Sequence, residues 1–171
     1  MMELSVTAEG HGANAVTGKR QRARRAQQEL QIRQDIAAFR ERMQRLADIL
    51  ATWLEGSEIG ITLREMVHGT PAGAYTLPAI VLRHGRNWAG FMPQALYSAT
   101  GGIQFKGEVT LAVDNPRRHP RTEKYMLCMQ GHRLSTSGWV IYGGGHTPGK
   151  GKVLTRELLL AAIAPLFDGA V

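Results

Sequence analysis

At 171 residues the chain is long enough for one domain with a real core and too short for two large ones. Its single cysteine, Cys128, excludes an intramolecular disulfide, and its apolar and aromatic content is ordinary for a globular protein. The formal charge of +7 is uneven, with +6 on residues 19–45, −3 on 46–70 and +5 on 115–171, which favours a polyanionic partner such as nucleic acid, an acidic protein or an anionic membrane surface.

Residues 1–18 mix Gly, Ala, Ser, Thr and acids without a period, and read as a disordered tail. They contain no apolar run of signal-peptide length, and the longest apolar run elsewhere, Leu158 to Phe167, is about half of the roughly 20 residues a membrane span needs. The expectation is a cytoplasmic chain without a membrane partner.

Lys19, Arg20, Arg22, Arg24 and Arg25 follow, five cations in seven residues. At the start of a helix they meet the positive end of the dipole, so this segment should fray until a phosphate backbone relieves it. No Gly or Pro interrupts Lys19 to Glu55, and Gly56 is a natural stop. Ile32, Ile36, Phe39, Met43, Leu46, Leu50 and Trp53 step by four and three, one stripe of a helix. The stripe is narrow from Ile32 to Met43, as a two-helix seam requires, and broadens from Leu46 with Ala47, Ile49 and Leu54. This pattern predicts docking of the C-terminal half on the body and self-association into a homodimer through Ile32, Ile36, Phe39 and Met43. A basic run followed by heptads is similar in layout to a basic zipper, but the base-reading Asn and Arg pattern is not present.

Residues 57–70 carry two conflicting signals. Thr62 with Glu65 matches a capping box, whereas Ile59, Ile61 and Leu63 alternate as in a strand. YTLPAIVLR reads as a strand with Pro78 at an edge or bulge, WAGFM as its return, and PQALYSATGG as a loop or a helical turn. Ile103 to Val113 is the clearest strand. Ile103, Phe105, Val109, Leu111 and Val113 face one way and Gln104, Lys106, Glu108 and Thr110 the other, which implies an antiparallel sheet with one wet face. KYMLCMQ and GWVIY are two further strands. Thr155 is the expected N-cap of a helix from about Arg156 to Ala164. The fold class is therefore α+β: a long, partly coiled-coil N-terminal helix, an antiparallel sheet of about five strands and a short C-terminal helix. The domain division is a tail at 1–18, the basic arm and amphipathic helix at 19–55, and an α+β globular domain at 56–171.

Gly144 to Lys150 satisfies the G-x-x-x-x-G-K spacing of a phosphate loop, but Gly151 stands where Ser or Thr should hold magnesium, and the helix starts late. We read a glycine-rich loop whose Lys150 and Lys152 meet phosphates non-specifically. Arg117, Arg118, Arg121 and Lys124, with His119, form a basic hairpin tip suited to a nucleic-acid groove. His68, His84, His119, His132 and His146 show no ligand spacing, so no metal is expected. Cys128, Ser135 and Ser137 near His132 lack an elbow, an orienting acid and an oxyanion loop, and no catalytic set or cofactor is expected. The sequence predicts a basic protein that binds DNA or RNA through Lys19, Arg20, Arg22, Arg24, Arg25, Arg117, Arg118, Arg121, Lys124, Lys150 and Lys152. Its alternatives are an adaptor or inhibitor docking an acidic protein partner, and a small enzyme.

Overall fold

The computed structural model describes residues 10–70, 73–100, 103–129, 138–143 and 151–168. The chain divides into two compact units, Met1–Gln34 and Asp35–Val171. Helix α1 is assigned over Gly10–Trp53. Residues 10–18 are thus helical rather than disordered; residues 1–9 of the expected tail lie outside the described residues. Adding turns to an existing helix needs no new nucleus, so even a Gly- and Asn-containing segment can extend one. The early start also moves the cation block beyond the first turn, where the dipole penalty has largely decayed.

In the second unit α1 ends as its residues dictate. Leu54 N–H still bonds Leu50 C=O at 2.9 Å, and Gly56, at φ +77°, turns the chain out of the helix. Seven strands follow: β1 (Gly60–Thr70), β2 (Gly73–His84), β3 (Asn87–Thr100), β4 (Ile103–Asp114), β5 (Thr122–Met129), β6 (Trp139–Tyr142) and β7 (Lys152–Val153). They pair antiparallel in strict chain order, a meander with β1 and β7 as its edges. The α+β architecture is as expected; the sheet has seven strands rather than about five.

Two of the additional pieces come from segments whose local signals were divided or pointed elsewhere. Residues 60–70 form β1 rather than a capped helix, because all eleven pair with β2 without a break. Residues 93–100 of the segment read as a loop or a helical turn belong to β3, with a one-residue bulge between Pro93 and Ala95, and residues 101–102 lie outside the described residues. Both strand prolines sit where the ladder has one neighbour. Pairing of β2 with β3 begins only at Ile80, beyond Pro78, and Pro93 lies past the last β2 partner, Phe91.

The core lies between one face of this sheet and the helices. From α1, Phe39, Met43, Leu46 and Leu50 are fully buried, as are Ile80, Leu82, Phe91, Leu111 and Leu127 of the sheet. Phe39 meets Trp139 of β6 with ring centroids 6.3 Å apart. Phe39 and Met43 were expected at a seam with a second copy; both are instead inside the body's own core, because the sheet's apolar face needs them. Ile32 and Ile36 are half-buried.

The C-terminal end closes the core. Leu154, fully buried, bonds Trp139 C=O through its N–H at 2.9 Å. Thr155 caps helix α2 (Arg156–Ala162), its Oγ1 accepting from Leu158 N–H at 3.2 Å. A 3₁₀ turn, Ala164–Phe167, follows at Pro165. Asn87 Nδ2 donates to Leu166 C=O and Asp168 C=O, both at 3.0 Å, so the β2–β3 turn clasps this last turn. Arg156 Nε donates to Trp53 C=O at 3.2 Å and satisfies a terminal carbonyl of α1. Gly151 marks a close approach before β7: a Cβ there would lie 2.5 Å from Val140 Cγ1 and 2.7 Å from Tyr142 Cε1.

The buried helix stripe gives a direct test. Phe39→Ala removes a fully buried ring and its Trp139 contact, and should cost about 3–5 kcal/mol in urea unfolding. An effect near zero would mean that this ring is not part of the core.

Candidate nucleic-acid interface

In the first unit Lys19, Arg20, Arg22, Arg24 and Arg25 all lie exposed on α1. At roughly 100° per residue they point around the axis rather than along one stripe. Among the described residues none of the five makes an ion pair. Residues 10–28 contain no acid, and Glu29 stands one helical turn beyond Arg25 alone. Their charge is therefore open to an outside anion.

The hairpin between β4 and β5 is different. Arg117, Arg118, Arg121 and Lys124 are exposed, but each arginine faces an acid of its own unit. Arg117 Nη1 lies 3.7 Å from Asp168 Oδ2, and Arg118 Nη1 lies 2.9 Å from Glu123 Oε1. Arg121 grips the buried Asp114 through two bonds, 2.6 and 3.1 Å, and that carboxylate holds its guanidinium protonated more firmly than usual. Asn115 shapes the tip, its Oδ1 accepting from Arg117 N–H at 3.1 Å and its Nδ2 donating to Glu123 at 3.0 Å. Arg121 thus serves a structural pair, while Lys124 makes no ion pair among the described residues. Lys152 is exposed on β7; Lys150 and the Gly144–Lys150 loop lie outside the described residues.

Three polar groupings on the second unit had no signal in the sequence. Asp35, nearly buried, accepts from Tyr97 O–H at 2.6 Å and from Lys106 Nζ at 3.2 Å. Those partners are 62 and 71 residues away in the chain. Burial first, and then the Asp35 carboxylate, push the Tyr97 phenol up to about 12. Arg40 forks onto Glu65 at 2.9 and 2.8 Å and also donates to Thr76 Oγ1 at 2.7 Å. The Arg40 bond holds the Glu65 carboxyl below its ordinary range. His68 stacks on Tyr75, centroids 5.5 Å apart, with its Nε2 buried and without a hydrogen-bond partner among the described residues.

Cys128 is fully buried, and burial pushes its thiol up to about 11, which keeps it protonated and unreactive. His132, Ser135, Ser137 and His146 lie outside the described residues. Among the described residues no three His, Cys, Asp or Glu side chains gather to hold a metal ion, and no helix is long and apolar enough to cross a membrane. Comparison with protein-family models, curated proteins and solved structures finds no match.

Two pH tests follow from the polar groups. The folded state favours protonated Tyr97, so its contribution is complete below about pH 10 and fades as the pH rises toward about 12. Absorbance titration should show one phenol titrating near that upper value, and Tyr97→Phe should abolish it. His68 is depressed by burial from 6.5, so the folded state favours the neutral ring. Its contribution is intact above pH 6.5 and is lost on further acidification. Wild-type urea midpoints should therefore fall more steeply below that pH than those of His68→Phe; equal slopes would contradict the burial of His68.

Proposed function

We propose that this chain is a basic nucleic-acid-binding protein that works in the cytoplasm and contacts mainly the phosphate backbone. The observation that carries the reading is the arm: Lys19, Arg20, Arg22, Arg24 and Arg25 exposed on one helix, without ion pairs among the described residues. Cations ringing a helix suit a groove walled by phosphates on both sides, and neutralising phosphates releases counterions from the nucleic acid. Nothing in the arm supplies the side-chain pattern of a base reader, so binding depends weakly on sequence.

The hairpin and the glycine-rich region add less. Arg117, Arg118 and Arg121 must each exchange an internal acid for a phosphate, a trade close to even for the two weaker pairs and unfavourable for Arg121. Lys124, Lys152 and Lys150 supplement the arm.

Titrations of duplex DNA and of RNA at several salt concentrations test this. About six phosphate contacts give a log–log slope near −5 on duplex DNA, and replacing the five arm cations by Ala should leave a slope of about −1. Replacing Arg118 and Lys124 together should change it far less. A flat salt response, or an arm variant that keeps the full slope, would remove the proposal. Absence of any shift, with an acidic protein co-purifying on the same cations, would favour the adaptor reading.

A further inference from the structure

Among the described residues β1 is the outer strand of the sheet and bonds β2 alone. Proteins guard such edges with prolines, bulges, charges or shortness. β1 has eleven residues, an unbroken register, no proline and two charged residues, Arg64 and Glu65. The opposite edge, β7, has two residues. Leu63, Glu65 and Val67 share one face of β1. Leu63 is 41% exposed and Val67 is 74% exposed, large apolar side chains left in water on a strand with an open ladder. Between them Glu65 is already neutralised by the Arg40 fork.

We propose that β1 is the self-association surface of this protein. Two copies join edge to edge and antiparallel, about a two-fold axis at Glu65, so that the two sheets run on as one. The inference stands apart from nucleic-acid binding and uses none of its residues.

The register follows from symmetry and charge. An axis perpendicular to the sheet keeps each face on its own side, so facing residues must come from the same face. With the axis at Glu65, the centre of Gly60–Thr70, all eleven residues overlap. Leu63 then lies opposite Val67 of the second copy, and Val67 opposite its Leu63, so the exposed apolar side chains cover each other on both sides of the axis. Two Glu65 carboxylates facing each other would repel, but each carries its own Arg40, and two carboxylates flanked by two guanidiniums form a charge-complementary row. Arg64 meets Met66 of the second copy. Moving the axis one residue to Arg64 would instead set two guanidiniums face to face with no acid bound to either. The pairing also closes: each chain has one long free edge, a β1–β1 ladder uses both, and a head-to-tail chain would have to grip the two-residue β7.

The test uses the full chain, freed of nucleic acid at high salt, with mass measured by light scattering across the micromolar range. The expected species is twice 18.8 kDa. Val67→Lys with Leu63→Lys should shift it to the single-chain mass while circular dichroism stays unchanged, since both positions are exposed. The double variant Leu63→Cys with Val67→Cys should form a covalent dimer on mild oxidation, and either single variant should not. A wild type that stays at the single-chain mass throughout, or a dimer that survives both lysines, overturns the surface. A covalent dimer from Leu63→Cys alone overturns the register.

Discussion

The second unit depends on one contact: the apolar face of the sheet against the stripe Phe39, Met43, Leu46 and Leu50 of α1. A meander of this kind has one face that must leave water, and it cannot cover that face with itself. The helix arrives first in the chain and supplies the cover, and Leu154, Leu159, Ile163 and Leu166 complete it from the other terminus. Those four helix side chains alone represent several kcal/mol of burial at about 1.5–3 kcal/mol each. A seam with another copy cannot compete for Phe39 and Met43 unless the core opens.

The charge of the molecule sorts into two kinds once the acids are placed. Hairpin arginines and acids meet in short range, so the tip's formal charge overstates the field it offers. Arm cations have no such neighbours in the described residues, and their field reaches solvent undiminished. A total of +7 hides this difference, because net charge counts residues and a ligand meets only what is left over after internal pairing.

Much of the architecture was legible because its signals are local. The 3.6-residue stripe of α1, the alternation of Val109, Leu111 and Val113, and the Thr155 cap are each written within one or two turns of chain. The stretches left open or misread are those decided from a distance. Thr62 and Glu65 satisfy a capping box, but ladder bonds to β2 along the whole of Gly60–Thr70 outweigh one capping bond. The second half of β3 is hidden by Pro93 and by a bulge that breaks the period of two. The exposure of the arm could be read from its lack of apolar periodicity. The partners of Asp35 could not be, since nothing within a turn of Tyr97 or Lys106 announces a carboxylate from the helix. The acid facing Arg117, Asp168, lies 51 residues on in the chain and is equally silent.

Gly151 gives the glycine-rich run before β7 a second meaning. Backbone at that point rides against the Val140 methyl and the Tyr142 ring with clearance for a hydrogen and nothing larger. The residue is a spacer gauge: it sets how near the returning strand comes to β6, and hence whether Leu154 N–H reaches Trp139 C=O and its side chain stays buried. A methyl group at that position would wedge the last strand outward and unseat the plug behind it. At least one glycine of a segment that reads as slack tether is therefore a dimension of the core.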